Sequence, residues 1–332
     1  MTYRLSPPPV AALLAAATAM STTTAVADGP VTLRGITPWT ADYDLSDSFF
    51  QFQQLVSEQC PDLVQIAYLG GPEVAEPNNQ FSALTNGVVD VILGAAAYYR
   101  TEVPLAAAVQ FTTLPPTELR ESGYYDLMRE VHADAGVVYL ANTSGGNKFR
   151  MYLKEDLETP DFSGLRLRAS PVYVPLIEAL GGTPVLMSPG DVYTALERGL
   201  IDGYGWTYTG LGVFGWNEVS GYVIDHPFYS LDGAILINQE VWDGLGDAAR
   251  ACLEEVGVAL EGRVEAFIGS RLEAEDEALK EMGMEFITFS PEDAEAYVDA
   301  AMTAGWQDFL DSNAEAFEGR PDLADALMDA GN

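Results

Sequence analysis

From Val31 onward, short apolar runs alternate with stretches in which apolar residues recur every three or four positions. The runs predict strands and the recurrences predict helices. Residues 31–37 read as a strand, and 46–59 as a helix with Phe49, Phe50, Phe52, Leu55 and Val56 on one side. A second strand over 63–68 ends in Gly70-Gly71-Pro72, and a helix over 78–86 leads into a buried strand over 88–93. Gly94 to Tyr99 follows directly; small residues at a strand's C-terminal end let a ligand or another backbone come close.

The pattern restarts near Ser144-Gly145-Gly146. Strands are expected over 165–168 and 184–186, with helices over 175–180 and 190–198. Gly199-Leu200-Ile201-Asp202 then repeats the earlier Gly87-Val88-Val89-Asp90. Each unit therefore presents a helix, a turn, an Asp and a strand, predicted to face a gap between two lobes. The expected fold class is α/β, a two-lobed clamshell rather than one continuous sheet. A return strand over 234–237 precedes helical stretches over 246–282 and 291–310, expected to brace the lobes. The division is residues 28–145 and 146–230 for the two lobes, with 231–332 as return strand and bracing helices.

The first residues read as an export signal. Arg4 supplies a positive start, 10–20 is an apolar run, and Ala25-Val26-Ala27 matches a small-x-small cleavage site. The run is shorter than the roughly 20 apolar residues of a spanning helix, so the mature chain is expected to start at Asp28 in an exported compartment.

Charge removes two partner classes. With 16 basic and 50 acidic residues the net charge is −34, which excludes nucleic acid or an anionic membrane as a general partner. Any anionic ligand must then meet a local positive group. Cys60 and Cys252 are the only cysteines; export permits a bridge, but two separate thiols are the expectation. No C-x-x-C occurs, and His132, expected to be exposed on a helix, stands far in the chain from His226 before Pro227, so no metal site is expected. No nucleophile elbow, phosphate loop, dinucleotide fingerprint or zinc-protease motif is present, and neither enzyme activity nor a cofactor is expected.

Two features carry binding chemistry. Arg168 ends a predicted strand, and its planar fork matches a carboxylate or sulfonate; an ordinary salt bridge to one of the many acids is the equal alternative. Aromatic residues also follow successive strands: Trp39 and Tyr43, Tyr98 and Tyr99, Tyr173, then Tyr204, Trp206 and Tyr208. Rings in loops that converge on a cleft suggest ligand stacking and hydrogen bonding.

Residues 165–206, LRLRASPVYVPLIEALGGTPVLMSPGDVYTALERGLIDGYGW, resemble the signature region of the DctP-type binding proteins of tripartite ATP-independent periplasmic (TRAP) transporters. Gly164-Leu165-Arg166-Leu167-Arg168 matches the family's G-L-K-x-R strand, and Asp191 to Gly199 matches its E-V-Y-T-A-L-Q-x-G helix. The resemblance implies two α/β lobes joined by hinge strands, closing over one ligand delivered to small and large membrane subunits. It implies that Arg168 grips the ligand's acid group. In the branch that binds 2-oxo and hydroxy acids, Asn147 stands where a ligand-contacting Gln lies and Trp206 where that branch has Trp. Its two metal-holding carboxylates align with Gly205 and Phe228, so no bridging metal is expected here. The expected site is Arg168, Asn147, Trp206, Tyr99, Tyr98 and Trp39, for a small organic anion with a monocarboxylate favoured. A binding protein of an ATP-driven importer and a receptor feeding a sensor kinase are the alternatives.

Overall fold

The computed structural model describes residues 1–2, 29–208, 211–318 and 321–331. The apolar run 10–20 and the cleavage motif 25–27 lie outside the described residues. No helix among the described residues is long and apolar enough to cross a membrane.

The first unit runs β1 (Val31–Ile36), α1 (Asp47–Gln59), β2 (Val64–Gly70), α2 (Pro77–Thr85), β3 (Val91–Gly94), α3 (Pro116–Glu121), α4 (Tyr124–Ala133) and β4 (Val137–Asn142). The second runs β5 (Lys148–Leu153), β6 (Arg166–Ala169), α5 (Val174–Ala179), β7 (Thr183–Leu186), α6 (Pro189–Glu197), β8 (Gly203–Thr207), β9 (Tyr222–Ile224) and β10 (Phe228–Ser230). The chain then returns through β11 (Ala234–Asn238), α7 (Gln239–Gly244), α8 (Asp247–Glu281), β12 (Glu285–Ile287), α9 (Pro291–Ser312) and α10 (Pro321–Gly331).

These strands make two sheets and hence two lobes. One has the order β2-β1-β3-β11-β4; the other runs β12-β9-β5-β8-β6-β7, with β10 on β5. The return strand β11 lies antiparallel between β3 and β4. Residues 285–287, expected among bracing helices, instead form β12 beside β9 in the second sheet.

Two segments cross between the sheets, 143–147 outward and 231–233 back. They are bonded to each other: Thr143 N–H donates to Gly233 O at 2.8 Å and Leu231 N–H to Asn147 O at 2.7 Å. Gly145 has φ +60° and runs against α8, where a Cβ would lie 2.5 Å from Ile268. Glycine is needed there on both counts.

The predicted bracing helix is α8, 35 residues and about 50 Å long. Ala249, Leu253, Val256, Leu260 and Val264 recur at helical spacing and pack on the first sheet with Leu33, Phe52 and Val91. Leu279, near its other end, packs in the second lobe with Tyr204 and Trp216. One helix therefore touches both lobes. Cys60, just past α1, and Cys252 on α8 form a disulfide with Cα atoms 6.1 Å apart. The expectation of two separate thiols is corrected, because α1 and α8 pack side by side although the two cysteines are 192 positions apart in sequence.

The repeated turn has a matching structural use in each lobe. Asp90 accepts from the Arg34 N–H, Nε and Nη2 at 2.7, 2.9 and 2.7 Å. Asp202 accepts from the same atoms of Arg166 at 2.9, 3.1 and 2.9 Å. Nη2 of each arginine also reaches the glycine carbonyl of its turn, Gly87 or Gly199. Both carboxylates are therefore spent on a neighbouring strand, at the N-terminal ends of β3 and β8. They do not face the gap, which the C-terminal strand ends border.

His132 is buried rather than exposed, because α4 turns it inward onto Tyr99 and Tyr139. Its Nδ1 lies 2.7 Å from Met128 O, so Nδ1 carries the hydrogen. Nε2 then accepts from the Tyr99 hydroxyl at 3.2 Å. Burial pushes the His132 pKa down to about 4, whereas an unfolded histidine titrates near about 6.5. Between those values the unfolded chain binds a proton that the folded chain refuses. The contribution is whole above about pH 6.5 and lost as pH falls to about 4, a change of about 3 kcal/mol. Urea midpoints measured across this range should fall less steeply for His132→Gln than for the parent protein. Parallel curves would disprove the assignment.

Candidate functional site

Along β6 the alternation of faces sorts three residues. Arg166 points outward to Asp202, Leu167 enters the core and Arg168 lies on the opposite face from Leu167, 3% exposed. Arg168 Nε donates to Met187 O and Nη1 to Gly205 O, each at 3.1 Å. Its guanidinium carbon stands 5.3 Å from the centre of the Trp206 ring. No carboxylate of the described residues pairs with it, and Nη2 has no protein partner among them. Burial pushes its pKa down. The salt-bridge alternative for Arg168 is thereby removed, leaving a desolvated cation with one donor edge open.

Trp206 lies in β8, register partner of Arg150 on β5. Its ring meets Phe214 and Trp216 edge-on at 5.3 and 4.9 Å. Its Nε1 is buried without a partner, an unspent donor beside the Arg168 guanidinium. Tyr204 and Trp206 are strand residues, not loop residues as expected. Tyr204 is fully buried, stacked on Tyr152 at 5.1 Å.

The remaining predicted residues come from the first lobe and the crossing. Trp39 meets Tyr98 at 6.2 Å and Tyr43 at 6.3 Å. Arg271 on α8 bonds Asp44 and Asp47 and so ties this loop to the bracing helix. Asn147, fully buried in the outward crossing, lines a small cleft with Trp39, Ser144 and Asp232. Tyr99 is placed elsewhere. Its ring stacks on Phe81 at 4.8 Å and its hydroxyl is bonded to His132, so the assignment of Tyr99 to the site is corrected. Adjacent residues of the helical turn after β3 point to opposite sides, and only Tyr98 stays half-buried beside Trp39.

Tyr173 packs against the strand that carries Trp206. Tyr173 lies over Gly205, where an added Cβ would stand 2.4 Å from its ring. Burial is the main cause of its raised pKa, and Tyr43 of the other lobe is among the lesser ones. Tyr173 thus covers Gly205, whose carbonyl accepts from Arg168. Position 205 has no room for a carboxylate and Phe228 is buried among apolar residues. Neither position offers oxygen to a metal, and no metal-binding cluster occurs among the described residues.

Asp232 escaped the reading of the sequence. It is 5% exposed and accepts from Ala97 N–H at 3.2 Å and Gln110 Nε2 at 3.3 Å. Burial raises its pKa. Its only sequence signal is an Asp before Gly, which reads as a turn.

Two lobes, two crossing segments and an open cation between them define a solute-binding protein of the clamshell class. The profile of bacterial extracellular solute-binding proteins, family 7 (DctP), matches residues 39–313, and the chain belongs to that family. It is 32% identical over 123 residues to the C4-dicarboxylate-binding periplasmic protein DctP of Rhodobacter capsulatus, covering 36% of this chain and 37% of that one. It is 23% identical over 234 residues to the ectoine-binding periplasmic protein TeaA of Halomonas elongata, covering 65% and 66%. The R. capsulatus match thus spans little over a third of that relative.

Among solved structures, a TRAP periplasmic solute-binding protein from Marinobacter aquaeolei in an apo open form superposes with TM-score 0.77 at 19% identity, over 91% of this chain and 99% of that one. One from Desulfovibrio salexigens with bound orotic acid superposes at 0.74 and 17% identity, over 90% and 98%. One from Sulfitobacter with bound β-D-galacturonate superposes at 0.68 and 19% identity, over 90% and 99%. At these identities the likeness shows the two-lobe fold.

Proposed function

We propose that this chain is the periplasmic receptor of a TRAP-type transporter and hands a small organic acid to small and large membrane subunits. It binds and releases its ligand and performs no chemistry on it. The observation that carries this reading is Arg168, a buried guanidinium without a carboxylate in a chain of net charge −34. A buried cation is costly unless an anion meets it; here the anion is the ligand's carboxylate. Arg168 Nη2 and Trp206 Nε1 supply the donors, Asn147 pairs with a further oxygen, and Trp39 and Tyr98 cover the rest. Galacturonate and orotate, bound by two of the structural relatives, each carry a carboxylate, which supports the same reading. The export signal read at the N-terminus supports the compartment.

Closure of the lobes removes water from around the ion pair and strengthens it. A thermal-shift screen against organic acids, sulfonates, amines and neutral solutes tests the proposal. A true ligand at a hundredfold excess over its Kd stabilises the folded state by about 2.7 kcal/mol. Organic acids are expected to raise the melting temperature. A rise with amines or neutral solutes alone would refute the receptor's acid specificity.

A further inference from the structure

Among the described residues Tyr229 alone, glycines apart, has a positive φ, of +34°. A side chain in that region crowds its own backbone, and a bulky residue stays there only when its surroundings force it to. Tyr229 is the middle residue of β10. On the facing strand Phe149 pairs with Phe228 and Lys148 with Ser230, so Tyr229 is the extra residue of a β-bulge. Glycine commonly takes the left-handed place in such a bulge. Here a tyrosine takes it, just before the return crossing 231–233.

Contacts from the first lobe and from α9 hold it there. The Tyr229 hydroxyl donates to Ala301 O on α9 at 2.6 Å. Its ring stands edge-on to Phe111 at 5.1 Å, and Phe111 ends the helical segment Pro104–Phe111 of the first lobe. Gly305 on α9 keeps the slot open, since a Cβ there would lie 2.5 Å from the Tyr229 hydroxyl and 2.4 Å from the Phe111 ring. Ser230 repeats the link, its hydroxyl donating to Thr112 O at 2.9 Å. A strand of the second sheet is thus pinned to the first lobe and to α9 immediately before it crosses.

The C-terminal helices are themselves a tie between the lobes. α9 packs along α5 of the second lobe, and α10 after it is bonded to the first. Thr113 N–H donates to Gly331 O at 2.8 Å and the Ser122 hydroxyl to Ala330 O at 2.6 Å. Tyr229 is where this tie meets the return crossing.

We propose that Tyr229 is a strained lock on the movement of the two lobes. Its ring and hydroxyl hold the start of the return crossing against α9 and Phe111, in an unfavourable backbone angle. A hinge moves by changing φ and ψ at a few residues near the ends of elements, and Tyr229 is relieved by such a change. Rotating its φ to the extended range removes the crowding and withdraws the ring from its slot. Relaxing the backbone and freeing the lobes are then one event. The lock acts whatever the cleft binds.

Urea unfolding and amide hydrogen exchange of the full mature chain, both without ligand, test the strain and the lock. Tyr229→Ala and Tyr229→Gly both remove the ring, but only glycine is free of the crowded Cβ. Tyr229→Gly is expected to unfold at the higher urea concentration; the reverse order, ordinary for a strand residue, would overturn the strain. The Thr143 and Leu231 amides bond the two crossings to each other. In Tyr229→Ala their exchange should accelerate by a factor at least about tenfold greater than that of the Ile92 and Leu93 amides in β3. No acceleration at the crossings, or the same acceleration in β3, would reduce Tyr229 to core packing and overturn the lock. Tyr229→Phe settles the same point if the smaller side chains prevent folding. It keeps the ring, loses the bond to Ala301 O, and should speed the crossing amides by about fivefold over those of β3.

Discussion

Arg168→Ala is expected to weaken acid binding by about 2–5 kcal/mol, roughly thirtyfold to a few thousandfold, when measured by calorimetry. The size follows from what is left behind. The ligand's carboxylate would enter a closed, largely dry cleft in which Trp206 Nε1 is left as a donor. Arg168→Lys should recover only part of the loss, because an ammonium cannot reproduce a fork that bonds Met187 O, Gly205 O and a ligand together. The unliganded variant should be no less stable than the parent in urea. A guanidinium that lacks an acidic partner contributes no ion pair to lose, and removing it relieves a desolvated charge. A salt-bridge role would produce the reverse pattern, with stability lost and affinity kept, and that result would sink the assignment.

Arg120→Met should destabilise the fold by about 3 kcal/mol. Arg120 on α3 donates through Nε and Nη2 to Glu261 on α8 at 2.5 and 3.0 Å, and through Nη2 to Leu140 O at 2.9 Å. Its guanidinium carbon also lies 3.6 Å from the centre of the Tyr125 ring. The Glu261 side chain is 2% exposed, and burial raises its pKa while Arg120 draws it back down. Without Arg120 the carboxylate is left buried with the Asn142 N–H as its remaining close donor. Adding Glu261→Gln to Arg120→Met should recover much of the loss, since no charge is then stranded. Urea unfolding of the parent, the single and the double variant decides it. A loss below about 1 kcal/mol for the single variant, within the range of exposed pairs, would show that the pair does not behave as buried. The pair also matters for the site, because Asn142 ends β4 where the chain begins its crossing toward Asn147.

The candidate site was legible where local pattern and chemistry coincide. Arg168 could be singled out because an arginine ends a short apolar strand in a chain poor in basic residues. Trp206 entered the candidate site as an aromatic after a strand and through family resemblance, although its place was taken to be a loop. Tyr98 and Tyr99 could not be told apart from the sequence. They are adjacent, and only the turn after β3 decides that one faces Trp39 and the other Phe81 and His132. Asp232 carried no signal beyond that of an Asp-Gly turn. An isolated Asp is ordinary on a surface, and nothing local reports that one has lost its water.

Periodicity by itself determined the alternation of strands and helices, the repeat of the helix–glycine–aspartate turn, and the long helix that became α8. These depend on contacts within a few residues, or on one face of an element being apolar, and both are written in spacing. Tertiary structure alone decided that Cys60 meets Cys252, that His132 is buried and neutral, and that the repeated aspartates bind Arg34 and Arg166 instead of facing the gap. It also decided which basic side chains among the described residues lack an acid. Each of these depends on which distant segments pack together and exclude water, and a buried charge differs from a solvated one only through those neighbours.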